Sequence, residues 1–197
     1  MNEKFDLEFC YKGDRKYVHG TDIFTKLLER YENTQKIDIS FHGISINNLT
    51  FFTQKPENKE ITVSFRCLND TNKIKIFGVQ NKSSIKCKYE YLEKNIIDNS
   101  QVNLNENSIE LKTKTKYSFI EHMVAMNKAL VENLYTDING KWYFTRLQLK
   151  ENIDIADIKS IKLNLLSNFQ FKLTKSSIIV NNKEIGFIYF SLILKES

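Results

Sequence analysis

Three residues join a reactive side chain to a place where a helix is expected to begin or to be buried: His19, Glu121 and Asn127. His19 immediately precedes a predicted helix, Thr21 to Tyr31. An imidazole with its ordinary pKa of about 6.5 gives and takes protons near neutrality. Glu121 and His122 fall in the first turn of a second predicted helix, Phe119 to Tyr135. A helix start carries unpaired amide N–H groups and the positive end of the dipole, and both favour negative charge growing on a carbonyl oxygen placed there. A base or acid beside such an end moves a proton or orients a water. Asn127 lies in the middle of the second helix's apolar stripe, where an amide finds partners or costs about 1–3 kcal/mol. Each has a structural alternative. His19 can pack at a strand–helix corner, Glu121 can complement the dipole, and Asn127 can bond a sheet carbonyl. Gly20 loosens the start of the first helix, and Arg146 can hold a phosphate or carboxylate, an ordinary surface ion pair being the alternative. His42 alternates with Phe41 and can face core or solvent.

The elements that must position these groups follow from hydrophobic periodicity. Phe5 to Tyr17 reads as extended. Ile23, Phe24, Leu27, Leu28 and Tyr31 make one helical stripe, which Thr21 or Asp22 can cap. Strands are predicted at Ile37–Ile46, Leu49–Thr53, Ile61–Leu68, Ile74–Val79 and Ile85–Leu92, with a turn at Asn69-Asp70-Thr71-Asn72. The second half repeats the plan. Ile109 to Tyr117 is extended, and the helix from Phe119 is apolar nearly all round, which marks it as buried. Strands follow at Trp142–Leu149, Ile161–Leu166, Phe169–Leu173, Ile178–Val180 and Ile185–Leu194, with a turn at Asn181-Asn182-Lys183. The economical packing of such a helix is an antiparallel sheet curved around it.

Composition narrows the classes. The chain has 197 residues, 41% of them hydrophobic, enough for a real core. No apolar stretch is long enough for a transmembrane helix, and the start MNEKFDLEFCYKGDRK has no apolar core of a signal peptide, so a cytoplasmic protein is expected. The net charge of +5 admits nucleic acid, an anionic surface or an acidic protein as partner. Lysines and aromatics do not interleave as in nucleic-acid modules, so no nucleic acid is expected. Lys112, Lys114 and Lys116 are expected on one face of a strand. Cys10, Cys67 and Cys87 have no metal-site spacing, so three reduced thiols and no metal are expected. The gaps between reactive residues match no phosphate loop, nucleophile elbow or His-Glu-x-x-His pattern, and no cofactor is expected.

Residues 93–108, rich in Asn, Ser and Glu, read as the linker between two halves. Sliding one half onto the other superposes Lys16-Tyr17 on Lys116-Tyr117, Glu32-Asn33 on Glu132-Asn133, and Tyr89 on Tyr189. The organisation expected is repeat one over 1–95, a linker over 96–108 and repeat two over 109–197.

One strand, a buried helix, then four or five antiparallel strands, given twice, resembles a double (tandem) hot-dog fold of the thioesterase and thioester dehydratase superfamily. The resemblance implies an α+β class with two tandem hot-dog repeats, each an antiparallel sheet wrapped around a central helix. The closing SSIIVNNKEIGFIYFSLIL is similar to the last hairpin of those enzymes. Tyr17-Val18-His19-Gly20 looks like the histidine before the central helix of hydroxyacyl-thioester dehydratases. The family's partner carboxylate would fall near Glu132, which lies opposite the apolar stripe. Glu121-His122-Met123-Val124-Ala125-Met126-Asn127-Lys128-Ala129 resembles the helix start of acyl-CoA thioesterases, with Glu121 as the acid and Asn127 as the first asparagine. Ala125 stands at that motif's histidine and Lys128 at its second asparagine.

The resemblance implies an acyl-thioester-processing enzyme, dehydratase- or thioesterase-like, acting on coenzyme A or acyl carrier protein substrates in fatty acid or polyketide biosynthesis. His19, Glu121 and Asn127 would be catalytic, and Gly20, His122 and Arg146 would bind substrate. A homo-oligomer is possible on the same ground. The alternative is a catalytically silent double hot-dog protein that binds acyl groups or supports assembly.

Overall fold

The computed structural model describes residues 3–151, 153 and 155–194. The chain forms two compact units, Met1–Tyr91 and Leu92–Ser197. Both are α+β, and all pairing within their larger sheets is antiparallel.

In the first unit, β1 (Lys4–Leu7) and β2 (Tyr11–Lys12) precede α1 (Gly20–Arg30). Then come β3 (Thr34–Phe41), β4 (Asn47–Phe52), β5 (Val63–Asn69), β6 (Asn72–Ser84) and β7 (Lys88–Tyr89). The five long strands pair in the order β1-β4-β6-β5-β3. α1 buries Ile23, Phe24 and Leu27 of the stripe read from the sequence, leaves Leu28 and Tyr31 half-buried, and packs against β3. Ile37, Ile39, Leu49, Phe51, Val63, Phe65 and Ile76 are almost wholly buried. Gly78 is required here, since a Cβ on it would come within 2.8 Å of the Phe51 ring. The β5–β6 turn falls where it was expected, with Asn69 opposite Asn72 and Asp70 at φ 52°.

The expected extended run Phe5 to Tyr17 is broken into β1 and β2 and leaves the sheet after Leu7. The predicted strand Ile85–Leu92 shrinks to β7, which pairs in parallel with β2: Tyr11 opposite Lys88, Lys12 opposite Tyr89. The reduced-thiol expectation is corrected at this point. Cys10 and Cys87 form a disulfide, and only Cys67 is a free thiol among the described residues. Burial pushes the Cys67 thiol up to about 11, so it stays protonated and inert.

The second unit contains α2 (Lys94–Asp98), β8 (Ser100–Asn103), β9 (Ser108–Leu111) and α3 (Phe119–Leu134). After them come β10 (Gly140–Glu151), a 3-10 turn (Ile155–Asp157), β11 (Ile161–Phe169), β12 (Leu173–Val180) and β13 (Lys183–Leu194). The strands follow the order β10-β13-β12-β11-β9-β8. α3 touches β8, β9, β10, β11 and β13. Six strands spaced about 4.8 Å apart cover more than twice the width of a helix about 10 Å across, so contact from the first to the last of that order requires a sheet bent around α3. The helix buries eleven of its sixteen residues.

Segment 96–108, expected as a linker, instead carries most of α2 and all of β8, with Ile96 fully buried. The lysine run is also corrected, because residues 112–118 form no strand; Lys112 pairs with Glu110, and Lys114 donates to the Ala156 carbonyl. The predicted strand Phe169–Leu173 is a turn. Gln170 and Phe171 take φ of 50° and 59°, and Asn168 Oδ1 accepts from Phe171 N at 2.8 Å. The Asn181-Asn182 turn has φ of 49° and 63°, the two positive values that a tight hairpin between twisted strands demands. Among the described residues no helix is long and apolar enough to cross a membrane.

The disulfide closes a loop spanning 77 positions. Cys10→Ser is expected to lower the unfolding free energy by about 3–4 kcal/mol. Urea denaturation checks this, and reductant added to the wild type should shift its midpoint to match the variant.

Candidate functional site

The predicted site residues fall in two places. His19, Gly20 and the start of α1 belong to the first unit; Glu121, His122, Asn127 and Arg146 belong to the second.

His19 is the N-cap of α1, with extended backbone at φ −77° and ψ 137°, and it is 7% exposed. Gly20 is the first helical residue. The imidazole does not cap the helix. Its Nδ1 lies 2.7 Å from Thr21 Oγ1. That hydroxyl joins a buried polar cluster that sequence reasoning missed. Lys12, 1% exposed, donates from Nζ to Thr21 Oγ1 at 3.0 Å and to Asp22 Oδ1 at 3.1 Å. Tyr89 donates its phenol proton to Asp22 Oδ2 at 2.8 Å. The Lys12 ammonium also sits 4.3 Å from the centre of the Tyr91 ring and 5.7 Å from that of Tyr89.

The ion pair and the two aromatic faces are what make a buried lysine tolerable, since an unpaired ammonium in such a place is very costly. The short β2–β7 ladder places Lys12 opposite Tyr89, and the adjacent disulfide pins that ladder. Within the run read as extended, a lysine between a tyrosine and a glycine carries no local sign of burial. The signal that was available is the polar pair Thr21-Asp22 set directly against the apolar stripe of α1.

At α3 the chemistry is already occupied. Ser118 and Glu121 form a capping box, and Glu121 Oε2 accepts from Ser118 N and from Ser118 Oγ, both at 2.8 Å. Fully buried His122 donates from Nδ1 to the Ser118 carbonyl at 2.8 Å, so its Nε2 accepts from Thr115 Oγ1 at 3.0 Å. Burial pushes the His122 pKa below its ordinary value. Asn127 is also fully buried, and neither its Nδ2 nor its Oδ1 has a hydrogen-bond partner. Glu132 lies on the exposed face of α3, as its position opposite the stripe implies. Arg146 sits beside a bulge in β10, with its guanidinium 5.6 Å from the centre of the Tyr189 ring. His42 is exposed and bonds Ser64 Oγ at 2.9 Å. Among the described residues no cluster of His, Cys, Asp and Glu could hold a metal ion.

Two open recesses lie elsewhere. One of about 650 Å³ is lined by β8, β9 and Lys162, and one of about 520 Å³ by residues that include Thr50, Lys59, Glu60 and Asn81. None of the six predicted site residues lines either recess.

No family model matches the chain, and no curated protein matches it either. Solved structures do. A TesB protein from Mycobacterium avium subsp. paratuberculosis superposes with a TM-score of 0.52 at 8% identity, over 96% of this chain and 91% of that one. The dehydratase domain of the polyketide PpsC from Mycobacterium tuberculosis gives 0.51 at 7% identity, over 98% and 93%. A pyran synthase domain from module nine of the sorangicin pathway gives 0.51 at 6%, over 99% and 94%. The chain has a hot-dog fold. Identities this low carry the hot-dog architecture and no residue's role, so the site rests on its own geometry.

Two measurements test the two kinds of buried polar group. Stability conferred by keeping His122 neutral is fully present above the unfolded pKa of about 6.5 and is lost as pH falls through the lowered folded value. The stability gap between wild type and His122→Gln is therefore expected to shrink between pH 7.5 and pH 5, read by thermal unfolding. Asn127→Leu, which replaces two unpartnered polar atoms by methyl groups on the same branched skeleton, is expected to raise the unfolding free energy by about 1–3 kcal/mol in denaturant titrations.

Proposed function

We propose that this chain is an acyl-thioester-processing protein built as two tandem hot-dog repeats, with a dehydratase-like site at the start of α1. The observation that carries this reading is the buried His19 at the N-cap of an eleven-residue helix, held through Thr21 by a lysine and a carboxylate. The element order supports the two repeats: β2, α1 and the strands after it in the first unit, β9, α3 and the strands after it in the second. Boundaries near residues 95 and 109 belong to the same proposal.

In this reading the thioester oxygen lies toward the first-turn amides of α1, whose dipole favours the negative charge of an enolate. His19 takes the proton from the carbon next to the thioester carbonyl. The electron pair moves onto the carbonyl oxygen and then forms the carbon–carbon double bond. The β-hydroxyl departs as water with the proton His19 carries. Gly20 gives the substrate room beside the backbone. Glu121 and His122 support the mouth of α3 through their bonds to Ser118. Asn127 offers an amide to an acyl chain or water in the second unit, and Arg146 a charge for the phosphates of a carrier.

An excess of five positive charges suits an acidic acyl carrier protein or the phosphates of coenzyme A. Thiol pools in the cytoplasm keep cysteine pairs open, so the stapled form of Cys10 and Cys87 belongs to oxidising conditions, and a cytoplasmic setting would hold the pair reduced.

A second reading keeps the frame without catalysis, as an acyl-binding or assembly protein. Its support is the closed capping box at α3 together with Ala125 and Lys128 in place of motif residues. A panel of hydroxyacyl and acyl thioesters of coenzyme A and carrier protein, followed by mass spectrometry, separates the two. Turnover that falls by about 10²- to 10⁴-fold in His19→Ala is expected. Turnover unchanged in that variant removes His19 from the chemistry, and saturable binding without turnover favours the silent protein.

A further inference from the structure

The Thr21 hydroxyl has one proton and two lone pairs but three neighbours: Lys12 Nζ at 3.0 Å, His19 Nδ1 at 2.7 Å and Asp22 Oδ1 at 3.1 Å. Lys12 can only donate, so it takes one lone pair. Asp22 Oδ1 as a carboxylate can only accept, so the bond to it needs the hydroxyl proton. What remains for His19 is the second lone pair, and a bond to that lone pair requires a proton on Nδ1. The reverse arrangement, with Thr21 donating to Nδ1, would leave Oγ1 and Asp22 Oδ1 facing each other at 3.1 Å as two acceptors.

The geometry points to Asp22 as a positioning residue that, with Lys12 filling one lone pair, aims the Thr21 proton away from His19 and so holds the imidazole as its Nδ1–H tautomer, with Nε2 the basic nitrogen. The arrangement is well supported on all sides. Lys12 is buried beneath Tyr91, and its β2 strand is fixed by Tyr11 N to the Cys87 carbonyl and by Gly13 N to the Tyr89 carbonyl, both 2.9 Å. Asp22 is anchored on its other oxygen by Tyr89. A neutral imidazole in water favours the other tautomer only weakly, so one enforced bond suffices to choose between them. The inference deepens the proposed role of His19 as a base, because it names the nitrogen that would accept the substrate proton. It does not depend on turnover for its test.

The chain has three histidines, so nitrogen-15 NMR of the imidazoles gives three separable patterns. His122, which donates from Nδ1 to the Ser118 carbonyl, serves as an internal reference for the same tautomer and for intact folding of its own unit. In wild type above the pKa of His19, protonated Nδ1 and pyridine-like Nε2 are expected for His19. In Asp22→Ala, and separately in the near-isosteric Thr21→Val, the Nδ1–H population is expected to be lost in favour of Nε2–H. Exchange-protected amides of α1 verify that each variant's first unit is folded. Wild-type His19 with its proton on Nε2 overturns the inference, and so does a folded Asp22→Ala and a folded Thr21→Val that both keep the wild-type pattern. A protein that shows the expected tautomers but turns over no thioester retains this inference and loses the proposed reaction; turnover with the opposite tautomer does the reverse.

Discussion

The need to cover α3 governs the second unit. A helix with apolar residues on almost every face cannot lie on a surface, and one flat sheet would leave half of it wet. The sheet therefore curves until strands as far apart in its order as β8 and β10 both reach the helix. Close approach between strands follows from the same demand. At Gly186 a Cβ would stand 1.9 Å from the Gln148 carbonyl oxygen, so β13 admits no side chain there beside its partner β10. Polar atoms inside such a wrap are either tied off, as His122 is, or conspicuous, as Asn127 is.

The first unit handles a helix of another kind. α1 has one apolar stripe and a wet face, so it needs only a platform, and its N-terminal end is free to collect polar groups. The Lys12, Thr21, Asp22 and Tyr89 network gathers there because the ladder between β2 and β7 brings a lysine under two tyrosines. The two helix starts thus differ in how their polar groups are engaged: α3 is closed by its own serine and glutamate, while α1 is bordered by groups from two other segments.

Much of the architecture was legible because its causes are local. The all-round apolarity of Phe119 to Leu134, the stripe of Ile23, Phe24 and Leu27, and the Asn-rich hairpin turns each announce themselves within a few residues. What was illegible depends on partners far away in the chain. Cys10 meets Cys87 across 77 positions, and an odd number of cysteines gave no reason to pair those two. Lys12 reads as solvated until Tyr91 is known to lie over it. The Asn- and Glu-rich stretch after residue 93 reads as a connector because β8 and β9 are short and β8 is half exposed, yet Ile96 anchors it in the core. His19 does stand immediately before a helix, as read; the hydroxyl bonded to it was taken only as a possible cap.

The order of elements around α3 also bears on how the protein is made. The helix is complete at Leu134, whereas β10, β11 and β13, which supply about half of its cover, follow from Gly140 onward. During synthesis an oily rod leaves the ribosome some sixty residues ahead of the last of that cover, a delay of several seconds at about 5–20 residues per second. In that interval the nascent chain is a natural client for a chaperone that shields apolar helices, and expression yield, more than the stability of the finished fold, becomes the property most exposed to changes along that rod.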